Sequence, residues 1–236
     1  MYKQSLKIAV MSLALLLMQP GFAAVTSSAQ LPEVREIQFE WARLYYLDEF
    51  LNANYRELQA LAKRANRVAQ EHPQNAEALT WDAIVLSTLA EKKGGLGALS
   101  LVNEAKLKLE QAEAIDPEVL GGSVYASLGS LYSKVPGWPI GFGNDKKAER
   151  YFKRALAINP QGLDINYFFA EYLANQGDDA QALEYIERAL QAPQLEDRPL
   201  ADRGRRQQVL KLRADVTGSL KTVSGGDSSL TTATRP

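Results

Sequence analysis

Between Pro32 and Leu200, apolar residues recur at three- and four-residue spacing, which places them on one face of an α-helix. No stretch sustains the alternation of a half-buried strand. The pattern predicts nine helices, running roughly Glu33–Leu47, Glu49–Glu71, Ala76–Lys92, Leu96–Ile115, Glu118–Lys134, Asp145–Ile158, Leu163–Asn175, Asp178–Leu190 and Leu200–Thr217. Pro73, Pro117, Pro160 and Pro193 punctuate the pattern, because a proline disfavours helix at the residue before it. Gly177 followed by Asp178, and Gly143 followed by Asn144 and Asp145, read as a stop and then an N-cap. After Val216 the chain is rich in Gly, Ser and Thr, with little to bury, so residues 218–236 are expected to form a disordered tail.

Two of these helices are copies of one another. Shifted by thirty-four positions, Ala148, Phe152, Ala155 and Leu156 fall on Ala182, Ile186, Ala189 and Leu190. A fixed period of that length marks a helix-turn-helix repeat, whose units bury their apolar faces by stacking on one another. Tyr125, Leu128, Gly129 and Tyr132 on one helix, then Ala148, Phe152, Ala155 and Pro160 on the next, make up one unit; Phe169, Ala170, Leu173, Gly177, Ala182, Ile186 and Ala189 repeat it. Ala83, Leu86, Ala105, Leu109, Ala112 and Pro117 give a stretched version upstream. These residues resemble the tetratricopeptide repeat (TPR) family, well from Ala76 to Pro193 and loosely before Pro73. The resemblance implies an all-α solenoid of about four helix pairs plus a C-terminal capping helix, spanning residues 31–217. It makes the repeated positions core, not site. In length, targeting and stretched repeats the chain also looks like the T component associated with TRAP-type solute uptake systems.

Composition narrows the rest. Hydrophobic residues make up 46% of the chain, enough for a substantial core. The net charge of -1 gives no electrostatic case for nucleic acid or an anionic membrane. Cysteine is absent and His72 is the only histidine, which excludes disulfides, thiolate chemistry and paired-histidine metal sites. Lys3 and Lys7 precede an apolar stretch from Ile8 to Met18, broken by Pro20 and Gly21 and followed by Ala23 and Ala24. This is the pattern of a secretory signal peptide over residues 1–24. The stretch is short against the ~20 residues of a membrane-spanning helix. The expectation is therefore a cleaved leader, a periplasmic or secreted protein, and no stable membrane insertion after cleavage.

Function is sought where the repeat is broken. The loop after Lys134, up to Asp145, carries Val135, Trp138, Ile140 and Phe142 among two prolines and three glycines. Such a loop is shaped by its composition. It reads either as a structural plug, with Trp138 and Phe142 tucked onto the solenoid, or as a lid with an aromatic anchor. The first helix of each pair should line the concave face, which puts Glu77, Thr80, Trp81, Ile84, Ser123, Ser127, Ser130, Tyr167 and Glu171 there, unless some of them pack against the lengthened helices. Trp81, Tyr167, Glu171, Trp138 and Phe142 are thus the candidate partner-binding residues. The Lys, Arg and Asn clamp by which chaperone-binding TPR proteins hold a peptide carboxylate is missing. The charged last helix, with Arg203, Arg205, Arg206, Lys211 and Arg213, reads as a cap with a solvated outer face rather than a patch for an anionic partner, since Asp202 and Asp215 dilute the run.

Chemistry is sparse. Gly94, Gly95 and Gly97 lack the Lys-Ser or Lys-Thr ending and the preceding strand of a phosphate loop, and so read as a helix-to-helix turn. There is no G-x-S-x-G or H-E-x-x-H motif, and no base oriented for catalysis. The leading expectation is a non-catalytic periplasmic scaffold without a cofactor, presenting its groove and loop to a protein or peptide partner. The alternatives are a solute-handling protein closing over a small apolar or organic-acid ligand, and an enzyme acting on cell-wall material.

Overall fold

The computed structural model describes residues 30–47 and 55–226. The expected signal peptide, the start of the second helix and residues 227–236 of the expected tail lie outside them. The described residues form nine α-helices and no strand: α1 (Pro32–Tyr46), α2 (Tyr55–Glu71), α3 (Ala76–Lys93), α4 (Leu99–Ile115), α5 (Val119–Lys134), α6 (Asp145–Ile158), α7 (Leu163–Asn175), α8 (Asp179–Leu190) and α9 (Pro199–Gly226). The last helix thus runs past Thr217 into the segment expected to be disordered.

Local chemistry sets the boundaries. Asn75, Asn144 and Asp178 each accept a backbone N–H of the first turn of α3, α6 and α8, at 2.8, 2.9 and 3.1 Å. Each such cap satisfies a donor that the helix leaves unpaired. Gly177 ends α7 at φ 80, where only glycine sits without strain. Between α3 and α4 the glycine-rich segment is a turn with a short 3-10 stretch, Leu96–Ala98, as expected. The start of α5 departs from the expected continuous helix. Leu120, Gly121 and Gly122 are left-handed, and the chain resumes α-helix only after them.

The helices pack as antiparallel neighbours: α3 with α4, α5 with α6, α7 with α8. The expected all-α solenoid of TPR-like pairs is what forms. Ala148, Phe152 and Ala155 of α6, and Ala182, Ile186 and Ala189 of α8, are all buried to 1% exposure or less. Gly129 shows why a small residue is needed: an added Cβ would stand 2.8 Å from the Phe152 ring. The helix axes approach as closely as this gap allows.

The first helices α1, α3, α5 and α7 contact one another in order and form an inner row. Helix α9 packs on α8 and α7, as a cap should, but it also reaches α1. Its Val209 and Val216 join the main core, while Leu200 and Ala201 pack on the separate N-terminal cluster of α1, α2 and α3. First and last helices therefore touch, and the row curls closed on α9.

Candidate functional site

Of the five candidate partner-binding residues, Trp81 and Phe142 do not offer the surface expected of them. Trp81 is only 3% exposed. Its ring meets Trp41 of α1 edge-on at 5.6 Å, so it belongs to the packing between neighbouring helices. Glu77, Thr80 and Ile84 follow the same logic: Glu77 accepts from Gln38 of α1 at 3.2 Å, Thr80 is buried, and Ile84 packs on the α1–α3 cluster. The reason is α1, which packs over this part of α3. A cavity of about 60 Å³ remains here, lined by Trp41, Trp81 and the start of α9. Second, the loop divides. Phe142 tucks in, edge-on to Tyr132 at 5.3 Å, while Trp138 is 90% exposed and covers nothing. The loop is a plug at its foot and a free aromatic at its tip.

Tyr167 and Glu171 do stand on the inner face, and they bring in residues that the repeat pattern did not single out. Lys134, at the end of α5, forms an ion pair with Glu171 of α7 at 2.7 Å. The Tyr167 hydroxyl donates to the same carboxylate at 3.3 Å. Glu91 of α3 lies within the electrostatic reach of both Lys134 and Glu171. The row therefore reads acid, base, acid across three consecutive first helices. Tyr45 of α1 extends it, stacked on Trp41 at 5.0 Å.

Helix α9 supplies the far wall. Arg205 is 5% exposed and donates from Nε to Asp164 Oδ1 and from Nη1 to Gln208 Oε1, both at 2.6 Å. Its guanidinium also lies 4.6 Å from the Tyr167 ring centre and 4.5 Å from that of Phe168. A planar guanidinium suits this setting, since it can stack and hydrogen bond together. Next to it, Arg206 donates to the carbonyls of Leu190 and Ala192 at 3.1 and 2.8 Å, closing the C-terminal end of α8. Burial pushes the Asp202 carboxyl up, but the Arg206 guanidinium and the Leu195 N–H outweigh it and hold the pKa below its usual value.

Around the Lys134–Glu171 ion pair, burial disfavours charge on the neighbouring carboxyl and phenol. Desolvation raises the pKa of Glu91; Lys134 pulls it back and Glu171 pushes it further up. Desolvation, with the Glu171 charge, also drives the Tyr167 phenol well above its usual range, so it stays a donor. Such a surface can take up a cationic or hydrogen-bonding group. Among the described residues, no three His, Asp or Glu side chains group as metal ligands would.

Sequence comparison gives no match to any protein-family model or curated protein. Among solved structures the chain is similar to a thermophilic TPR protein of Thermus thermophilus. The two share 20% identity over 79% of this chain and 98% of that one, with a TM-score of 0.39.

Proposed function

We propose that the protein is a non-catalytic scaffold, exported to the periplasm, that holds a protein partner on the inner row of its first helices. The observation that carries this reading is the Glu91–Lys134–Glu171 row, in which three stacked hairpins each present one charge beside Tyr167. A partner segment with complementary charges would meet a surface already held by the core, so little ordering entropy is lost on binding. The solute-handling reading draws no support from the cavity beside Trp81, which is about 60 Å³, against ~300–1,000 Å³ for a typical small-molecule site.

The test is site-specific photocrosslinking in periplasm. A photoreactive residue at Glu91 should capture one reproducible protein, and Lys134→Glu should abolish the capture. The same residue at Glu184, exposed on the outer helix α8, should capture nothing above background. Equal capture from both positions, or capture indifferent to Lys134→Glu, would remove the basis for this function.

A further inference from the structure

The loop between α5 and α6 is built to hold an apolar tip in water. Its backbone is pinned from within: Ile140 N–H donates to Gly137 O at 3.1 Å, Gly143 N–H to Pro136 O at 3.0 Å, and Asn144 N–H to Tyr132 O at 2.8 Å. Gly143 cannot be another residue without moving the chain, since a Cβ there would lie 1.8 Å from Val135 O. Phe142 anchors the foot against Tyr132, which in turn stacks on Tyr151 at 5.6 Å. All this order presents Trp138 and Ile140, 90% and 59% exposed, to solvent. From Val135 to Gly143 the side chains carry one polar group, the Trp138 indole N–H. Exposed apolar side chains on an ordered loop usually mark a surface that is covered in use.

The surroundings are basic. Lys147 lies over the Tyr132 ring at 5.1 Å and Lys106 over Phe142 at 5.7 Å, so two ammonium groups stand beside the loop's foot. Lys146 and Arg150 follow on the exposed face of α6. The acidic groups nearby are Asp145, at the start of α6, and two carboxylates already matched to cations: Glu149 pairs with Lys153 at 2.6 Å and Glu110 with Lys106 at 2.8 Å. The whole-chain charge of -1 averages this local excess away.

We propose that this loop is a peripheral membrane anchor: Trp138 and Ile140 enter the interface of a bilayer while Lys146, Lys147 and Arg150 meet anionic lipid headgroups. A knob with an apolar tip and a cationic collar matches the layered chemistry of that interface, where an indole ring buries its body and keeps its N–H wet. Each lysine or arginine near an anionic surface adds attraction that salt screens. Among the described residues no helix is long and apolar enough to cross a membrane, and the proposed contact is one of adsorption.

The experiment is vesicle co-sedimentation with tryptophan emission as second readout. Trp41 and Trp81 are buried, so a shift reports on Trp138. Vesicles of equal phosphatidylglycerol and phosphatidylcholine should sediment the protein and shift its emission to the blue. Pure phosphatidylcholine should bind about tenfold or more weakly. Trp138→Ser should lose both the shift and the sedimentation; Lys146→Glu with Lys147→Glu should lose sedimentation, each with unchanged circular dichroism. Folded protein that stays in the supernatant of both vesicles, or a Trp138→Ser variant that sediments like its parent, would overturn the proposal. So would a protein that shifts Trp138 emission without lipid, because the knob would then fit a protein pocket. None of these outcomes bears on the inner row, which these substitutions do not touch.

Discussion

Arg205 and Asp164 form an ion pair at 2.6 Å that joins the last helix to the inner row, with the guanidinium roofed by Tyr167 and Phe168. The arginine is almost fully buried, while the Asp164 side chain remains 37% exposed. This pairing, rather than a solvated outer face, is what part of the charge on α9 is for.

Removing it should be costly. Arg205→Ala leaves two aromatic rings and a carboxylate without their partner, and should lower stability by about 2–3 kcal/mol, less than the ~3–5 kcal/mol of a fully buried pair because Asp164 can still reach water. Arg205→Lys should recover only part of this, since an ammonium cannot stack on the rings and fork to Asp164 and Gln208 together. Urea unfolding measures both; a loss below about 0.5 kcal/mol for Arg205→Ala would show that α9 is held by its apolar side chains alone.

Gly204 is the close-approach point between α9 and α1. An added Cβ would fall 2.2 Å from the Tyr46 ring. Gly204→Ala should therefore destabilise by about 1–3 kcal/mol, although alanine is the better helix former. In a Tyr46→Ala background the same change should cost far less. A double-mutant cycle with no coupling would mean that the two helices do not meet there.

Trp138→Ser should leave the unfolding free energy within about 0.5 kcal/mol of the parent, because the side chain touches almost nothing. Gly143→Ala, in contrast, should unpin the loop by pushing Val135 O away. Protease cleavage between Pro136 and Gly143 should accelerate in that variant. A Trp138→Ser protein as destabilised as a core variant would show that the indole packs after all.

Asp82 gives a signed pH dependence. It is buried between α2, α3 and α4, with Oδ2 3.1 Å from Lys108 Nζ and 3.3 Å from Asn66 Nδ2. Burial raises its pKa above the ordinary 3.8 by more than Lys108 pulls it down. From 3.8 up to the raised value, the folded chain keeps a proton that the unfolded chain has released. The Asp82 contribution to stability therefore falls as pH rises through that window and is level above it. Urea titrations from about pH 4 to about pH 7 should show this slope in the parent minus Asp82→Asn difference. A difference that rises with pH would mean that Lys108 holds the carboxyl below its ordinary value.

Much of the fold was legible because repetition is a local signal. Ala148 and Ala182, Ala155 and Ala189 declare one packing rule twice, and Asn144 and Asp178 declare where their helices begin. What the pattern could not carry is contact between residues far apart with no period between them. Arg205 meets Asp164 and Tyr46 lies against Gly204 only because the row curls, and no spacing in the sequence encodes that closure. Trp81 follows the same logic: its repeat position faces inward, but α1 lies over it, and no period in the sequence encodes that contact. Glu91 and Lys134 lie at the last turns of α3 and α5, beyond the positions that the repeat fixes, so only their convergence on Glu171 reveals them. In the loop, composition foretold order but not direction; Phe142 and Trp138 have similar chemistry and opposite fates.

The closed row is the claim on which the site depends, since an open α9 would leave Tyr167 and Glu171 on a different surface. The chain has no cysteine, so spin labels at Arg43→Cys on α1 and Gln207→Cys on α9 report without background. Double electron–electron resonance should show one narrow, short-distance population. A broad distribution extending to long distances would contradict the closure and dissolve the inner row as a bounded site.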